Sequence, residues 1–438
     1  MEIDKTTLND LSIFNGEEDF SIFSKLNHTL TSNGKLQLKR NLATPLQTRE
    51  AITNVQQVLQ LILKEEQHWP TVISNGTIMV VERFYEYSFD PLPKHVSPLA
   101  AKSYQLLHGP DFSLIKYSII HCFDFIKGMQ QFIERFLQPD APAPIRKLLE
   151  EADKLLSADA FKVIKKHNRA SDLSIPQQLE LAQHLRYSYK HSMFSLISNF
   201  AQLDAWYGMA QTVKKEQLVF PTFIESAHPI VEAKGLYHIL LQRPVPYDIE
   251  LTPASNFLFL TGANMAGKST FIKSVGAAVF LAHVGMGVPA ASMQLTLMDG
   301  MLSNINVIDN IAKGESYFYN EVQRIKATIG KVSDGRKWLI LIDELFKGTN
   351  VQDAMKCSTA VIEGLLKISN SLFILSTHLY EIGDALKVHP NICFNYFETA
   401  TQNGQLSFNY QLKKGISNDR LGYLILEREG VVKMLKDL

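Results

Sequence analysis

The chain has 438 residues, of which 46% are hydrophobic and 20% are charged, a composition that fits two or three globular domains and excludes a disordered chain. Lysine plus arginine and aspartate plus glutamate number 44 each, so no global field attracts nucleic acid or an anionic membrane, and any such binding must rest on local patches. The odd number and wide spacing of Cys122, Cys357 and Cys393 argue against a disulfide framework or a zinc site.

The N-terminus, MEIDKTTLNDL, is acidic and polar, whereas a signal peptide would be basic and then apolar. The longest apolar stretch, residues 275–291, contains His283, Pro289 and glycines, which makes it a poor membrane span. We therefore expect a soluble, cytoplasmic protein that does not insert into a membrane.

The segment from about residue 20 to residue 217 has the pattern of a helical domain. Apolar residues recur at helical intervals, for example Ile52, Val55, Val58, Leu59 and Ile62. Proline-rich breaks, among them QPDAPAP at residues 138–144, separate the predicted helices. We assign residues 1–217 to this helical domain.

After about residue 220, short apolar strands alternate with helical stretches. The clearest strands are residues 257–260, 338–342 and 372–376. This alternation predicts a mostly parallel sheet covered by helices on both faces. The fold class is therefore multidomain, α plus α/β, with residues 218–438 as the second domain. Near the end, an Asn403-Gly404 turn between alternating apolar residues predicts a hairpin that adds an antiparallel edge.

The stretch FLFLTGANMAGKST, residues 257–270, satisfies the P-loop pattern between a strand and a predicted helix. Glycines in such a loop allow backbone N–H groups to surround a phosphate, and Lys268 would reach the β- and γ-oxygens. Ser269 offers a hydroxyl to Mg²⁺. The sequence therefore predicts a site for a nucleoside triphosphate, formed by Gly262, Ala263, Asn264, Met265, Ala266, Gly267, Lys268, Ser269 and Thr270.

A P-loop requires a partner carboxylate at the end of another buried strand, and WLILIDE supplies Asp343 and Glu344. We expect Asp343 to hold the Mg²⁺ shell and Glu344 to orient and deprotonate the attacking water, which favours hydrolysis over a kinase-like transfer. A third strand, LFILSTH, ends on His378. Its imidazole either contacts the γ-phosphate or the lytic water, or is structural.

Four segments, TGANMAGKST, DNIAKGESYFYNEV, LILIDELFKGTN and STHLYEI, occur in an order that resembles the MutS family of DNA mismatch-repair ATPases. The resemblance extends to AHPIVE and, in the helical half, to SIFSKLNHTLTSNGKLQLKRNLATPLQTRE, which looks like the core or lever segment of that family. It implies a helical core/lever-like domain followed by an ABC-type P-loop NTPase domain that uses ATP and Mg²⁺.

In that family two ATPase domains dimerise, and a signature loop of one subunit completes the nucleotide site of the other. By resemblance, Gly314, Glu315 and Ser316 form this loop, with Ser316 approaching the γ-phosphate in trans and Glu321 behind it. The resemblance therefore implies a homodimer with composite ATP sites.

The sequence departs from the family pattern at several points. Ala263 and Ala266 stand where the family usually has proline and glycine, and LFKGTN replaces a loop that usually begins Ile-Gly-Arg-Gly-Thr. Where the family usually has an aromatic residue that stacks on adenine, this sequence has Val245, with Tyr247 nearby. Selectivity between adenine and guanine stays open.

Two hypotheses about the purpose of hydrolysis remain. We expect the chain to lack the N-terminal mismatch-reading and connector domains of the repair proteins, so DNA binding would be sequence-independent. The basic run KVIKKHNRA, residues 162–170, is either a DNA contact or a solvated helix face. The first hypothesis is repair or recombination on mismatched or branched DNA, together with other repair proteins. The alternative is an ATP-switched module that acts on a protein partner without DNA.

Overall fold

The computed structural model describes residues 1–14, 20–93, 96–263, 265–306, 317–402, 405–417, 427 and 430–436. Its helices, in chain order, are α1 Lys5–Asp10, α2 Ile22–Leu26, α3 Ser32–Ala43, α4 Arg49–Lys64, α5 Asn75–Glu86, α6 Pro98–Leu107, α7 Gly109–Phe136, α8 Ala143–Leu155, α9 Lys162–Lys166, α10 Ile175–Ser188, α11 Lys190–Lys215, α12 Lys268–His283, α13 Tyr317–Val332, α14 Val351–Leu365, α15 Glu381–Leu386 and α16 Val431–Lys436. Its strands are β1 Glu2–Ile3, β2 Thr222–Ile224, β3 Val231–Leu236, β4 Tyr247–Leu251, β5 Phe257–Thr261, β6 Ser292–Thr296, β7 Gly300–Asn304, β8 Trp338–Asp343, β9 Ser371–Ser376, β10 Ile392–Gln402 and β11 Gln405–Lys414.

The chain divides into two compact units that are not contiguous in sequence. The first unit contains Met1–Lys25, Thr44–Ile52 and Lys215–Leu438, and the second contains Leu26–Ala43 and Thr53–Lys214. The sequence predicts a single boundary between residues 217 and 218, whereas in this division residues 1–25 and 44–52 lie in the same unit as residues 215–438.

Backbone pairing and a buried carboxylate explain why the start of the chain belongs to the first unit. Strand β1 pairs in parallel with β7. The carboxylate of Asp10, which is 2% exposed, accepts hydrogen bonds from the N–H groups of Ile305 and Asn306, both at 3.1 Å. A buried carboxylate must be compensated by such donors, so α1 is fixed to the end of β7.

A seven-stranded sheet forms the centre of the first unit, in the order β1-β7-β8-β9-β5-β10-β11. Neighbouring strands are parallel except for β10 and β11, so the sheet is mostly parallel as predicted. Strands β5, β8 and β9 are buried at every residue, which is characteristic of parallel strands covered on both faces. The β10–β11 pair is the expected antiparallel edge, and its turn at Asn403-Gly404 lies outside the described residues.

A second sheet of the first unit has the strand order β2-β6-β3-β4. Strand β4 alternates between buried and exposed residues, as expected for a sheet with one solvated face. The ring of Tyr247, the first residue of β4, lies edge-on to the rings of Phe271 at 5.4 Å and Phe397 at 5.6 Å. This packing fixes β4 beside the first turn of α12.

The second unit is helical in the residues that the structure describes. Its longest helices are α7 and α11, and the apolar residues of α7 recur every three or four positions and are buried, which is the pattern that predicts an amphipathic helix. Asp204 of α11 is fully buried and accepts hydrogen bonds from the N–H groups of Leu30 at 2.7 Å and Thr31 at 2.9 Å.

In the described part of the chain, no helix is both long and apolar enough to cross a membrane.

Candidate active site

The P-loop connects the end of β5 to the start of α12, as its sequence predicts. Gly262 has φ 140° and Gly267 has φ 106°, a region in which residues with a side chain are strained. A Cβ atom on Gly262 would lie 3.2 Å from the carbonyl oxygen of Phe397, and one on Gly267 would lie 3.4 Å from the ring of Tyr410. The glycines therefore provide both the loop conformation and the space around it.

The residues between the two glycines form a tight turn. Ala263 and Ala266 are buried, and the N–H of Ala266 donates to the carbonyl of Ala263 at 3.2 Å. Met265 has φ 68° and is 73% exposed. The predicted phosphate-binding residue Asn264 lies outside the described residues, so its contribution stays a prediction.

Lys268, the first residue of α12, points into the loop and is 5% exposed. Its Nζ donates to the carbonyl of Gly262 at 2.7 Å and to that of Ala263 at 3.1 Å. Burial lowers the pKa of the ammonium, while the nearby carboxylates of Glu344 and Asp343 raise it. A cation held among loop carbonyls next to a helix N-terminus is in a suitable position to contact a phosphate.

Asp343 ends β8 and connects the P-loop to the neighbouring strands. It is 8% exposed and accepts hydrogen bonds from the hydroxyls of Ser269 and Ser376. A carboxylate and a hydroxyl in direct contact supply the hard oxygen ligands that Mg²⁺ prefers, so the residues present fit the predicted metal site. Sequence reasoning missed Ser376, although its position before Thr377-His378 at the end of β9 could have indicated it.

Glu344 follows Asp343 with φ 63°, and its N–H donates to the carbonyl of Ser376 at 3.0 Å. Its carboxylate lies between two side chains: Lys347 Nζ is 3.2 Å from Oε2, and His378 Nδ1 is 3.7 Å from Oε1. The His378 imidazole, and then the charges of Lys347 and Lys268, outweigh burial and lower the pKa of Glu344 to about 2. Glu344 is therefore ionised at neutral pH.

The structure brings His378 to Glu344 and leaves its side chain about half exposed. The separation of 3.7 Å is longer than a hydrogen bond, so the interaction is electrostatic and requires a protonated ring. The predicted contact of His378 with a γ-phosphate or water stays a prediction. The signature residues Gly314, Glu315 and Ser316 lie outside the described residues.

A cavity of about 440 Å³ adjoins the P-loop. It is lined in part by Lys268, Ser269, Thr270 and Glu344, and also by Leu241, Arg243, Val245, Met265 and Tyr410. Tyr247 reaches the cavity but is 8% exposed, whereas Tyr410 is 40% exposed. The more exposed of the two tyrosines that line this cavity therefore lies on the edge strand β11.

Comparison with known proteins agrees with this geometry. Residues 258–435 match the family model of MutS domain V. The DNA mismatch repair protein MutS of Lactococcus lactis subsp. cremoris is 29% identical over 247 residues, which cover 55% of this chain and 29% of that protein. The protein of the same name from Shouchella clausii is 28% identical over 316 residues, or 69% of this chain and 33% of that protein.

A third relative, the DNA mismatch repair protein MutS of Ehrlichia chaffeensis, is 28% identical over 242 residues, covering 55% of this chain and 29% of that protein. The aligned part of this chain thus spans about a third of the length of the curated relatives it matches.

Proposed function

We propose that the chain hydrolyses ATP with Mg²⁺. The premise is that it is MutS-like and carries a MutS domain V over residues 258–435. The observation that supports this proposal best is the convergence of four side chains at the carboxyl ends of the central strands. Lys268 and Ser269 follow β5, Asp343 ends β8 and Glu344 follows it, and the Ser269 hydroxyl donates to Asp343. This is the arrangement that phosphoryl transfer in P-loop enzymes requires.

The chain's own residues bind and orient the triphosphate. Lys268 exchanges the carbonyls of Gly262 and Ala263 for β- and γ-phosphate oxygens, and the backbone N–H groups at the start of α12 face the same oxygens. Ser269 and Asp343 would hold Mg²⁺, which when bound neutralises charge on the β- and γ-oxygens. Lys268 and Ser269 line the cavity beside the P-loop, and Asp343 accepts a hydrogen bond from the Ser269 hydroxyl.

Glu344 orients the attacking water. The His378 imidazole and the charges of Lys347 and Lys268 lower the pKa of Glu344, so its carboxylate is ionised at neutral pH and able to accept a hydrogen bond. Its fixed negative charge, between Lys347 and His378, can align a water molecule by accepting a hydrogen bond. Deprotonation of that water, the second role expected of Glu344 from the sequence, stays a prediction.

The coupling of hydrolysis to movement forms the second part of the proposal. By resemblance, two copies close around ATP, with Ser316 of each contacting the other's nucleotide, and closure moves the helical units. Exposed Lys165 and Lys166 are candidate contacts to DNA phosphates, whereas Lys162 is paired with Asp159 at 2.7 Å. We propose a role in DNA repair or recombination, as the names of the relatives suggest.

The ATPase proposal is tested with two variants. Lys268→Ala is expected to abolish ATP binding, because the loop loses its buried cation. Glu344→Gln is expected to bind ATP and form the dimer while turnover falls about a hundredfold. Phosphate release, ATP affinity and mass in solution are measured, with Glu363→Gln on the exposed side of α14 as the matched control.

Three outcomes would contradict the assignment. Unchanged turnover in Glu344→Gln would show that another group orients the water. Transfer of phosphate to a product other than water would favour the kinase-like alternative. Absence of DNA binding at low salt, where phosphate contacts are strongest, together with a turnover rate that DNA does not change, would favour the ATP-switched protein-interaction module.

A further inference from the structure

A buried carboxylate on α13 lies against the loop that follows Glu344. Glu321 is 1% exposed, and its two oxygens accept hydrogen bonds from the N–H groups of Lys347 at 3.3 Å and Gly348 at 3.4 Å. Burial raises the pKa of Glu321, while these backbone donors lower it. Burying a carboxylate is costly unless donors compensate it, so the position of Glu321 and the conformation of this loop depend on each other.

The loop has an unusual backbone that needs such support. Glu344 and Phe346 have φ 63° and φ 59°, and left-handed conformations at residues with side chains cost about 1 kcal/mol or more each. A backbone that combines left-handed with right-handed conformations can turn successive N–H groups to one side, where they form a concave site for an anion. The carboxylate of Glu321 occupies that position, so it favours the conformation that presents Glu344 to the cavity.

Lys347 connects Glu321 to the catalytic carboxylate. Its backbone N–H is held by Glu321, and its side-chain Nζ lies 3.2 Å from Glu344 Oε2. A second contact joins the same elements, since the rings of Phe318 on α13 and Phe346 in the loop are 5.6 Å apart. A shift of α13 would therefore move Lys347 and change the charge next to Glu344.

We propose that Glu321 is a positioning residue for hydrolysis, which fixes the Leu345–Gly348 loop and through Lys347 holds Glu344 in the orientation that aligns water. The proposal rests on the ATPase function proposed above. Glu321 is 1% exposed and is not one of the residues that line the cavity beside the P-loop, so its substitution is expected to change the rate of the hydrolytic step and to leave nucleotide affinity unchanged. Helix α13 thereby sets the activity of its own subunit's carboxylate.

The test compares Glu321→Gln with the parent and with a control on the same helix. Gln is isosteric but can accept from only one of the two N–H groups, since its own NH₂ group is a donor. The control is Gln323→Ala, at an exposed position of α13. We expect kcat to fall about tenfold in Glu321→Gln, with KM for ATP and the dissociation constant of a non-hydrolysable analogue within about twofold of the parent.

A readout independent of activity separates this inference from the ATPase proposal. Hydrogen exchange of a peptide that spans residues 345–350, measured by mass spectrometry, is expected to be faster in Glu321→Gln and unchanged in Gln323→Ala. Glu321→Asp retains the charge with a shorter side chain and is expected to lose less of the rate than Glu321→Gln.

Several results would overturn the positioning role: unchanged kcat in Glu321→Gln, unchanged exchange of the loop, a loss of nucleotide affinity as large as the loss of kcat, or a larger rate loss in Glu321→Asp than in Glu321→Gln. A parent protein without ATPase activity would instead refute the proposed function, while the exchange experiment would still test the contact of Glu321 with the loop.

Discussion

Tyr410→Ala is expected to weaken the binding of ATP through its base. Tyr410 lies on β11, lines the cavity beside the P-loop and is 40% exposed. Its ring is close to the phosphate loop, since a Cβ atom on Gly267 would lie 3.4 Å from it. An exposed aromatic face at this distance from the triphosphate site is in a position to stack on a nucleobase.

The size of the effect follows from the exposed area. A tyrosine side chain has an area of about 200 Å², so the exposed 40% of Tyr410 offers about 80 Å² for contact with a base. At about 25 cal/mol per Å² this contact contributes about 2 kcal/mol, within the range for base–aromatic stacking. The dissociation constant of ATP should therefore rise about tenfold to thirtyfold in Tyr410→Ala.

Titration calorimetry with a non-hydrolysable ATP analogue and with inorganic tripolyphosphate separates the base from the phosphates. Tyr410→Ala should weaken binding of the analogue and leave binding of tripolyphosphate unchanged, and Tyr410→Phe should bind both like the parent. Equal affinity of the analogue for parent and Tyr410→Ala would refute the stacking role. An equal loss for both ligands would show that the substitution disturbs the P-loop at Gly267 instead.

Two further predictions concern stability. His283 is fully buried, accepts a hydrogen bond from the N–H of Met298 at 3.0 Å, and has a pKa lowered by burial to about 4. Because the same imidazole in the unfolded chain binds a proton near pH 6.5, the free energy of unfolding should fall by about 3 kcal/mol as pH drops from 7 to 4. Urea unfolding at the two pH values should show a smaller fall in His283→Gln than in the parent. Asp204→Ala should lower the free energy of unfolding of the helical unit by about 3 kcal/mol, because the N–H groups of Leu30 and Thr31 lose a buried charged acceptor. A melting temperature of Asp204→Ala equal to that of the parent would contradict this prediction.

The central strands could be predicted from sequence almost to the residue. The expected segments 257–260, 338–342 and 372–376 correspond to Phe257–Thr261, Trp338–Asp343 and Ser371–Ser376. Continuous apolar runs carry this information because strands buried on both faces admit few polar residues. Strand β1 could not be predicted in this way, since its two residues have a mixed pattern and their pairing with β7 is set by distant residues.

The relative positions of some site residues could be predicted from local sequence patterns, whereas the positions of residues that tertiary packing brings to the site could not. The P-loop pattern and the carboxylates after an apolar strand placed Lys268, Ser269, Asp343 and Glu344 together, because the carboxyl ends of parallel strands meet at one edge of a sheet. No local pattern indicates that Tyr410, on an antiparallel edge strand, reaches the same cavity. Its place there follows from the pairing of β10 with both β5 and β11.

The LFKGTN segment departs from the pattern of the resembled family, and the structure shows which contacts accommodate its phenylalanine. Phe346 adopts φ 59° at a position where the resembled family usually has glycine, and glycine reaches this conformation without strain. The cost of the conformation must be offset by contacts that glycine cannot make, and Phe346 is buried and packs against Phe318. Glu321 holds the next two N–H groups from the same helix. A side chain at this position therefore joins the loop that follows Glu344 to α13, a contact that glycine could not make.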